Sequence, residues 1–132
     1  MHFDGAVNWN GAGLGVILVT PTKELIPLSK RLEFPTTNNG AEYEACLFGL
    51  EALSHIGASE VLVYGDSALV IRQIVGDWEI KEETLRPYVE AVWELTPQFK
   101  SCLFQHFPRD ENQMVDALAT LASHYKVLGF SL

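Results

Sequence analysis

Apolar residues are concentrated in two neighbouring stretches in the first quarter of the chain. Residues 13–20 (GLGVILVT) form one apolar, β-branched run, and residues 25–32 form a second run after the polar segment PTKE. This pattern predicts a β-hairpin with its turn at residues 21–24. Pro27 favours an edge position for the second strand, because proline lacks the N–H that a ladder needs on both sides. Residues 2–4 are too few to predict more than a short, trimmed strand.

From residue 41 the apolar positions change to a helical spacing. They recur every three or four residues, which predicts a helix that ends at Gly57. Asn38 or Asn39 is expected to cap its start. The positions that define this spacing are Ala41, Ala45, Phe48, Ala52 and Ile56.

The second half of the chain alternates between strand and helix patterns. Residues 61–64 are continuously apolar, which is typical of a strand buried on both faces. Residues 67–75 and 85–95 are predicted helices, residues 102–107 a last strand, and Asn112 the cap of a final helix. A hairpin followed by alternating elements predicts one α/β domain, residues 1–132, with a mixed sheet covered by helices.

The composition is that of a globular domain with a core. The 132 residues are 48% apolar and 20% charged, which excludes a disordered or disulfide-stapled chain. Cys46 and Cys102 lie among apolar neighbours without metal-type spacing, so both are expected to be buried small hydrophobic residues. No apolar run approaches the ~20 residues that span a bilayer, and the start lacks the features of a signal peptide. We therefore expect an intracellular protein without a membrane partner.

Four acidic residues are expected at the ends of predicted elements. They are Asp4, Glu42, Asp66 and Asp116. In α/β sheets, ligand sites collect at the carboxyl ends of strands and the helix N-termini beside them. An all-carboxylate set suits hard ions such as Mg²⁺ or Mn²⁺ better than zinc. Spacing alone leaves a second interpretation open, in which these are ordinary surface or helix-capping acids.

Short motifs surround these acids in a fixed order. They are FDGA at residues 3–6, TNNGAEYEA at 37–45, YGDS at 64–67, HFPR at 106–109, and EN with VDALA at 111–119. Together they resemble ribonuclease H of the type 1 class, and within it the ribonuclease H domains of plant LTR-retrotransposon polyproteins of the gypsy class. The resemblance extends over residues 3–123.

The resemblance implies a ribonuclease H-like α/β fold, with a five-stranded mixed β-sheet flanked by α-helices. It implies a metal-dependent endonuclease that hydrolyses the RNA strand of RNA/DNA hybrids, leaving 3′-hydroxyl and 5′-phosphate ends. The cofactors would be two Mg²⁺ ions, with Mn²⁺ as an alternative. Asp4 would bridge both ions, and Asp66 and Asp116 would each bind at one side of this two-ion site. Glu42 would hold the other ion and lie beside the RNA 2′-hydroxyl.

The same resemblance implies residues that contact the substrate. Asn38 and Asn39 match an amide pair near the RNA strand, Asn10 and Gly11 match a glycine-rich hairpin entry, and Ser67 belongs to the YGDS motif. A helix cap for the asparagine pair and a β-turn at the hairpin are the plainer interpretations of these positions.

An auxiliary residue is expected before the last acid. His106 stands ten residues before Asp116, a spacing seen in family members with a catalytic histidine. The HFPR sequence instead favours Arg109, which would stabilise phosphate charge, since a guanidinium cannot act as a base. His106 would then be structural.

The net charge of −8 argues at first against a nucleic-acid partner. Residues 77–94, which stand where some relatives carry a basic protrusion, contain six acids and two bases. Outside this segment and the four candidate site acids, seven acids face seven bases. Two divalent ions would reverse the sign of the site. Weak hybrid binding by this domain alone is therefore expected.

The resemblance also implies covalent neighbours and a cellular setting. Reverse transcriptase would precede this domain in a polyprotein and integrase would follow it. The setting would be the cytoplasm or a virus-like particle, with the nucleus as an alternative. We expect a monomer.

Two alternatives stay open, a non-catalytic module that docks a reverse transcriptase and a DNA strand-transfer enzyme on the same fold. Exposed tryptophans could stack on nucleotides; core packing is favoured for Trp93, while Trp78 and Trp9 stay open.

Overall fold

The computed structural model describes residues 1–9 and 11–107. Within them the chain forms a five-stranded sheet and three α-helices, with short 3₁₀ turns on either side of the third helix. The strands are β1 His2–Asn8, β2 Gly11–Val19, β3 Leu25–Leu32, β4 Glu60–Gly65 and β5 Ser101–His106. The helices are α1 Asn38–His55, α2 Ala68–Val75 and α3 Arg86–Leu95.

The sheet is mixed, as predicted, with the strand order β3-β2-β1-β4-β5. Strands β1, β2 and β3 pair antiparallel, whereas β4 pairs parallel with both β1 and β5. The predicted hairpin of β2 and β3 is confirmed, and Pro27 lies on an edge strand as expected. The tight turn between them places Lys23 at φ 68°, and the Lys23 N–H donates to the Thr20 carbonyl at 2.8 Å.

Strand β1 is not trimmed, so that expectation is wrong. It has seven residues and pairs with β2 along its whole length, from His2 opposite Ile17 to Asn8 opposite Gly11. Gly5 and Ala6 weaken its sequence pattern, because small residues give little β signal. They are nevertheless suited to a central strand against which a helix packs closely.

The N-cap of helix α1 lies one residue before the two predicted caps. Thr37 is the N-cap, and its Oγ1 accepts a hydrogen bond from the Gly40 N–H at 3.1 Å. Asn38 and Asn39 are therefore the first two helical residues, and the prediction that one of them caps the helix is wrong. The helix ends at His55, and Gly57 follows in a left-handed conformation at φ +79°.

Strand β4 alternates between buried and exposed residues in the described part of the chain, which corrects the prediction that both of its faces are buried. Val61 and Val63 belong to the core, but Leu62 is 52% exposed. Leu103 on the neighbouring β5 is also exposed. Among the described residues, the hydrophobic core includes Val61 and Val63 but neither of these two leucines. The continuous apolar run at residues 61–64 is therefore not evidence that both faces of β4 are covered.

The core lies between the sheet and the three helices. Helix α1 packs across β1 and β2, α2 packs against β4 and β5, and α3 packs on α1 and α2.

Cys46 is fully buried and Cys102 is half-buried, so the expectation of two buried thiols holds in full only for Cys46. Trp93 is half-exposed, contrary to the prediction of core packing, and its Nε1 donates to the Ile74 carbonyl at 2.8 Å. No described helix is long and apolar enough to cross a membrane.

Candidate metal centre

Three of the four predicted acids converge at one end of the sheet. Asp4 lies in β1, Glu42 in the early part of α1, and Asp66 directly after β4. Phe3 pairs with Gly65 across the parallel β1–β4 ladder, so the chain brings Asp4 and Asp66 to adjacent positions. One carboxylate oxygen from each of the three acids lies within 4.8 Å of those of the other two.

Gly5 joins two of these acids through its backbone. Its N–H donates to Asp4 Oδ1 at 3.0 Å and to Glu42 Oε1 at 2.9 Å. A Cβ at this position would lie 2.4 Å from the Ala41 carbonyl carbon and 2.6 Å from the Glu42 nitrogen. The first turns of α1 therefore pack directly on the β1 backbone, and this close approach brings Glu42 to Asp4.

The carboxylates are withdrawn from water. Asp4 is 1% exposed and Glu42 is 6% exposed. Asp4 Oδ2, Glu42 Oε2 and Asp66 Oδ2 are all buried. Three carboxylates this close together repel one another strongly in a partly desolvated setting, and a divalent cation relieves that repulsion. The donor set consists of oxygen only, which fits Mg²⁺ or Mn²⁺.

A cleft of roughly 360 Å³ opens at this acid cluster, and we call it the acidic cleft. It brings Asn38, Asn39 and Ser67 together with Glu42 and Asp66. Ser67 also caps α2, since its Oγ accepts a hydrogen bond from the Val70 N–H at 3.3 Å. The remaining lining residues are Gly5, Ala6 and Val7.

The other predicted site residues divide into two groups. Gly11 lines a second cleft beside the first, together with Trp9. Asn10, Arg109 and Asp116 lie outside the described residues, so their predicted roles stay predictions.

His106 lies beside Asp66 but contacts its backbone. Its Nε2 is 3.1 Å from the Asp66 carbonyl oxygen, and the ring is exposed at the end of β5. The next residue, Phe107, donates its N–H to the Gly65 carbonyl at 2.7 Å. These two contacts hold the end of β5 against the segment that presents Asp66.

Sequence reasoning missed a buried hydrogen bond behind the acids. The Tyr43 hydroxyl donates to Gln73 Oε1 at 2.7 Å, and both side chains are buried. Burial raises the pKa of Tyr43 above its ordinary range, so the hydroxyl stays protonated as a donor. Tyr43 follows Glu42, and Gln73 lies on α2, which begins just after Asp66. Two polar residues at apolar positions of their helices were the only sequence signal for this pair.

Comparison with known proteins identifies the family. The family model described as "Reverse transcriptase-like" matches residues 2–122. The crystal structure of RNase H1 from the halophilic archaeon Halobacterium salinarum superimposes with a TM-score of 0.86 at 34% identity, covering 92% of this chain and 93% of that one. The chain belongs to the ribonuclease H family.

Further ribonuclease H relatives have the same fold. LC11-RNase H1, solved in complex with an RNA/DNA hybrid, superimposes with a TM-score of 0.82 at 32% identity and covers 92% of this chain and 93% of that chain. The foamy viral protease-reverse transcriptase matches with a TM-score of 0.74 at 18% identity, over 93% of this chain and 19% of the viral one. At that identity the viral likeness shows the ribonuclease H fold alone.

The curated relatives are longer than this ribonuclease H chain. Ribonuclease HI of Halobacterium salinarum is 34% identical over 123 residues, which are 92% of this chain and 62% of the archaeal protein. A bifunctional protein of Mycobacterium tuberculosis is 36% identical over 110 residues, 82% of this chain and 30% of that protein. The chain thus spans less than two thirds of each.

Proposed function

We propose that this chain is a metal-dependent endonuclease that hydrolyses the RNA strand of RNA/DNA hybrids and leaves 3′-hydroxyl and 5′-phosphate ends. The observation that carries the proposal is the convergence of Asp4, Glu42 and Asp66 within 4.8 Å, beside an open cleft that Glu42 and Asp66 line. Divalent ions held by these acids would supply the charge that stabilises the attacking and leaving oxygens of phosphoryl transfer.

The chain's own residues divide the work around that charge. Asp4 is the most buried of the three acids and would be the ligand shared by two ions. Glu42 and Asp66 line the cleft and would each hold one of the two ions, Mg²⁺ or alternatively Mn²⁺. Gly5 fixes the Asp4 and Glu42 oxygens by its N–H, so the ligands need little rearrangement when metal binds. Asp116 would complete the set.

Recognition of an RNA strand requires a contact to its 2′-hydroxyl, because this group distinguishes RNA from DNA. Asn38 and Asn39 line the acidic cleft next to Glu42, with amide groups that can both donate and accept hydrogen bonds. The complex of LC11-RNase H1 with an RNA/DNA hybrid supports the same substrate class for this chain. We expect Asn10 and Gly11 to contact the same strand through the hairpin.

Electrostatics makes metal a condition for substrate binding. The net charge is −8, and the acid cluster without cations would repel phosphate. Residues 77–94, with six acids and two bases, contribute half of this net charge. We therefore expect the isolated domain to bind hybrid weakly, even with metal, and to gain affinity from a neighbouring nucleic-acid-binding domain.

We further propose that the domain acts within a retroelement polyprotein. In that setting the neighbour would be a reverse transcriptase domain, with integrase beyond it, and the domain itself would be monomeric. The support is the set of sequence motifs that resemble plant gypsy-class polyproteins. Cytoplasm or a virus-like particle would then be the place of action.

Cleavage of a labelled hybrid tests the activity. Wild type, Asp66→Asn and the matched control Asp77→Asn are compared in Mg²⁺, Mn²⁺ and EDTA, with single-stranded RNA, duplex RNA and duplex DNA as other substrates. Asp77 is an exposed acid that pairs with Arg72 at 3.5 Å, away from the cleft. We expect cutting of the hybrid alone, dependent on metal, lost in Asp66→Asn and retained in Asp77→Asn. Cutting by Asp66→Asn at the wild-type rate would overturn the proposal.

A non-catalytic docking module remains the alternative function. The short, trimmed first strand expected from the sequence would have favoured this alternative, but β1 has seven residues. Calorimetry with Mg²⁺ and Mn²⁺ distinguishes the two. An enzyme should bind metal through its acids, and Asp66→Asn should abolish the binding, whereas a docking module needs no such site.

A further inference from the structure

A second cleft adjoins the acidic cleft on the side of the β1–β2 hairpin. Its volume is roughly 390 Å³, within the range of small-molecule sites. Val7 lines both clefts, and Thr36 of the second precedes the N-cap of α1. A strand that leaves the acids in this direction would therefore enter the second cleft next.

Two exposed aromatic side chains line this second cleft, which we call the aromatic cleft. Trp9, at the tip of the hairpin, is 90% exposed. Phe34, on the connection from β3 to α1, is 46% exposed. Neither ring is part of the core, and folding alone gives no reason to present them to water. Rings of this kind are the groups on which nucleobases stack.

The charge of the aromatic cleft distinguishes a base from a phosphate as its ligand. Arg31 and Glu33 both line it, so its charged side chains balance. A phosphate site would be expected to carry a net positive charge. A nucleobase is uncharged, carries hydrogen-bonding edges and has two aromatic faces, and Arg31 and Glu33 offer a donor and an acceptor for such edges.

We propose that the aromatic cleft binds an unpaired nucleobase of the RNA strand, stacked on Trp9, where that strand leaves the hybrid beside the acidic cleft. The proposal rests on the proposed function, because the cleaved strand is the one that passes from one cleft into the other. It gives the chain a preference for hybrids whose RNA strand continues as a single strand.

Binding to a matched set of hybrids tests this inference. The set contains one short blunt hybrid and four versions that carry the same unpaired sequence. Two versions extend the RNA strand, at one end or the other, and two extend the DNA strand in the same way. Fluorescence anisotropy is measured in Mg²⁺ in an Asp66→Asn background, so that the substrate stays intact. We expect an RNA extension at one end to tighten binding about tenfold, as one stacked base typically does.

Variants assign the preference to Trp9. Trp9→Ala should abolish the gain, whereas Trp9→Phe should retain most of it, because a phenyl ring still offers a stacking face. Trp78→Ala is the matched control, since Trp78 is also exposed but lines a different cleft with Asp77 and Glu79. A gain from DNA extensions equal to that from RNA, or a gain that survives in Trp9→Ala, would overturn the inference.

Cleavage assays keep this inference separate from the proposed function. With Asp66 restored, the control Trp78→Ala should cut the blunt hybrid at the wild-type rate, and Trp9→Ala should lose the advantage of the RNA-extended hybrid over the blunt one. If wild type cuts hybrids but shows no preference for RNA extensions, only the base site is wrong. If wild type cuts nothing while the Trp9-dependent preference stands, the proposed nuclease activity is wrong and the cleft is a single-stranded RNA site.

Discussion

The backbone N–H of Gly5 lies 2.9 Å from Glu42 Oε1 and donates a hydrogen bond to it. The same N–H reaches Asp4 Oδ1 at 3.0 Å, so one donor holds an acid of β1 and an acid of α1 together. A backbone donor is fixed by the strand and has no rotamer freedom. The geometry of two of the three clustered carboxylates is therefore built into the packing of α1 on β1.

Gly5→Ala should damage both stability and the acid cluster. The new Cβ would meet Ala41 and Glu42 backbone atoms at 2.4–2.6 Å, which neither element can relieve without moving. We expect a loss of about 1–3 kcal/mol in the free energy of unfolding, by the usual cost of overpacking, together with loss of metal binding. Chemical denaturation and calorimetry with Mg²⁺ measure the two effects.

Gly57→Ala is the control for this prediction. Gly57 has φ +79° and open space around its Cβ position, far from the acids. The substitution should cost roughly 1 kcal/mol through backbone strain and leave metal binding unchanged. Equal metal affinity in Gly5→Ala and wild type would show that the close approach of α1 does not set the site.

The architecture was largely predictable from the sequence, because hydrophobic period and turn residues are local signals. The β2–β3 hairpin and the three described helices follow from such signals. The length of strand β1 was underestimated because its middle residues, Gly5 and Ala6, are small and give little β signal. At Gly5 the small size allows the backbone of α1, which is distant in sequence, to pack closely. The exposure of Leu62 was missed for a related reason, since a run of apolar residues does not say how many faces are covered.

The site was predictable as a set of residues but not as a geometry. Motifs selected Asp4, Glu42 and Asp66, and the parallel register of β1 and β4 explains why two of them meet. No local pattern shows that the Gly5 N–H joins two carboxylates or that Tyr43 reaches Gln73. Both depend on the placement of α1 over the sheet, a long-range contact that one sequence does not encode in any short window.

Divalent metal should stabilise the fold through the acid cluster. A ligand that binds only the folded state at ~100 times its Kd adds about 2.7 kcal/mol to the free energy of unfolding. We expect Mg²⁺ or Mn²⁺ to raise the Tm of wild type and of Asp77→Asn, and to leave the Tm of Asp66→Asn almost unchanged. In EDTA, Asp66→Asn should be at least as stable as wild type, because one of three neighbouring negative charges is gone. Calorimetric scans in EDTA and in metal provide the comparison, and an equal metal-induced shift in all three proteins would contradict it.

Tyr43→Phe should weaken metal binding from behind the site. It leaves buried Gln73 Oε1 without the 2.7 Å hydroxyl donor, at a cost of about 1–3 kcal/mol in the free energy of unfolding. The bond joins α1, which carries Glu42, to α2, which begins just after Asp66. Its loss should therefore raise the Mg²⁺ concentration for half-maximal cleavage several-fold, with a smaller change in kcat. The stability contributed by the raised pKa of Tyr43 is complete below about pH 10 and declines above it, since the unfolded tyrosine ionises first.

Two controls separate positioning from general destabilisation at Tyr43. Ser54→Ala removes an exposed hydroxyl that donates to Gln98 Oε1 at 2.6 Å, the same chemistry away from the acids. Tyr43→Phe combined with Gln73→Leu removes both partners and should regain much of the stability. An unchanged Mg²⁺ requirement in Tyr43→Phe, despite lower stability, would assign the pair to the core alone.

His106→Ala should reduce cleavage far less than Arg109→Ala. The His106 ring contacts the Asp66 carbonyl at 3.1 Å and is exposed, so its loss removes one hydrogen bond that steadies the Asp66 segment. We expect a loss of less than roughly tenfold in kcat, as one hydrogen bond of this kind allows. Arg109, which we propose to stabilise charge on the phosphate, should cost about a hundredfold or more when removed.

Conservative variants decide between the two residues. Arg109→Lys keeps a positive charge and should retain more activity than Arg109→Ala, although a lysine cannot reproduce the planar, forked hydrogen bonding of a guanidinium to phosphate. His106→Gln keeps a side chain that can hydrogen-bond the Asp66 carbonyl, so it should regain most of the activity lost in His106→Ala. A hundredfold loss of kcat in both His106 variants, with activity retained in Arg109→Ala, would reverse the assignment and make the histidine the catalytic group.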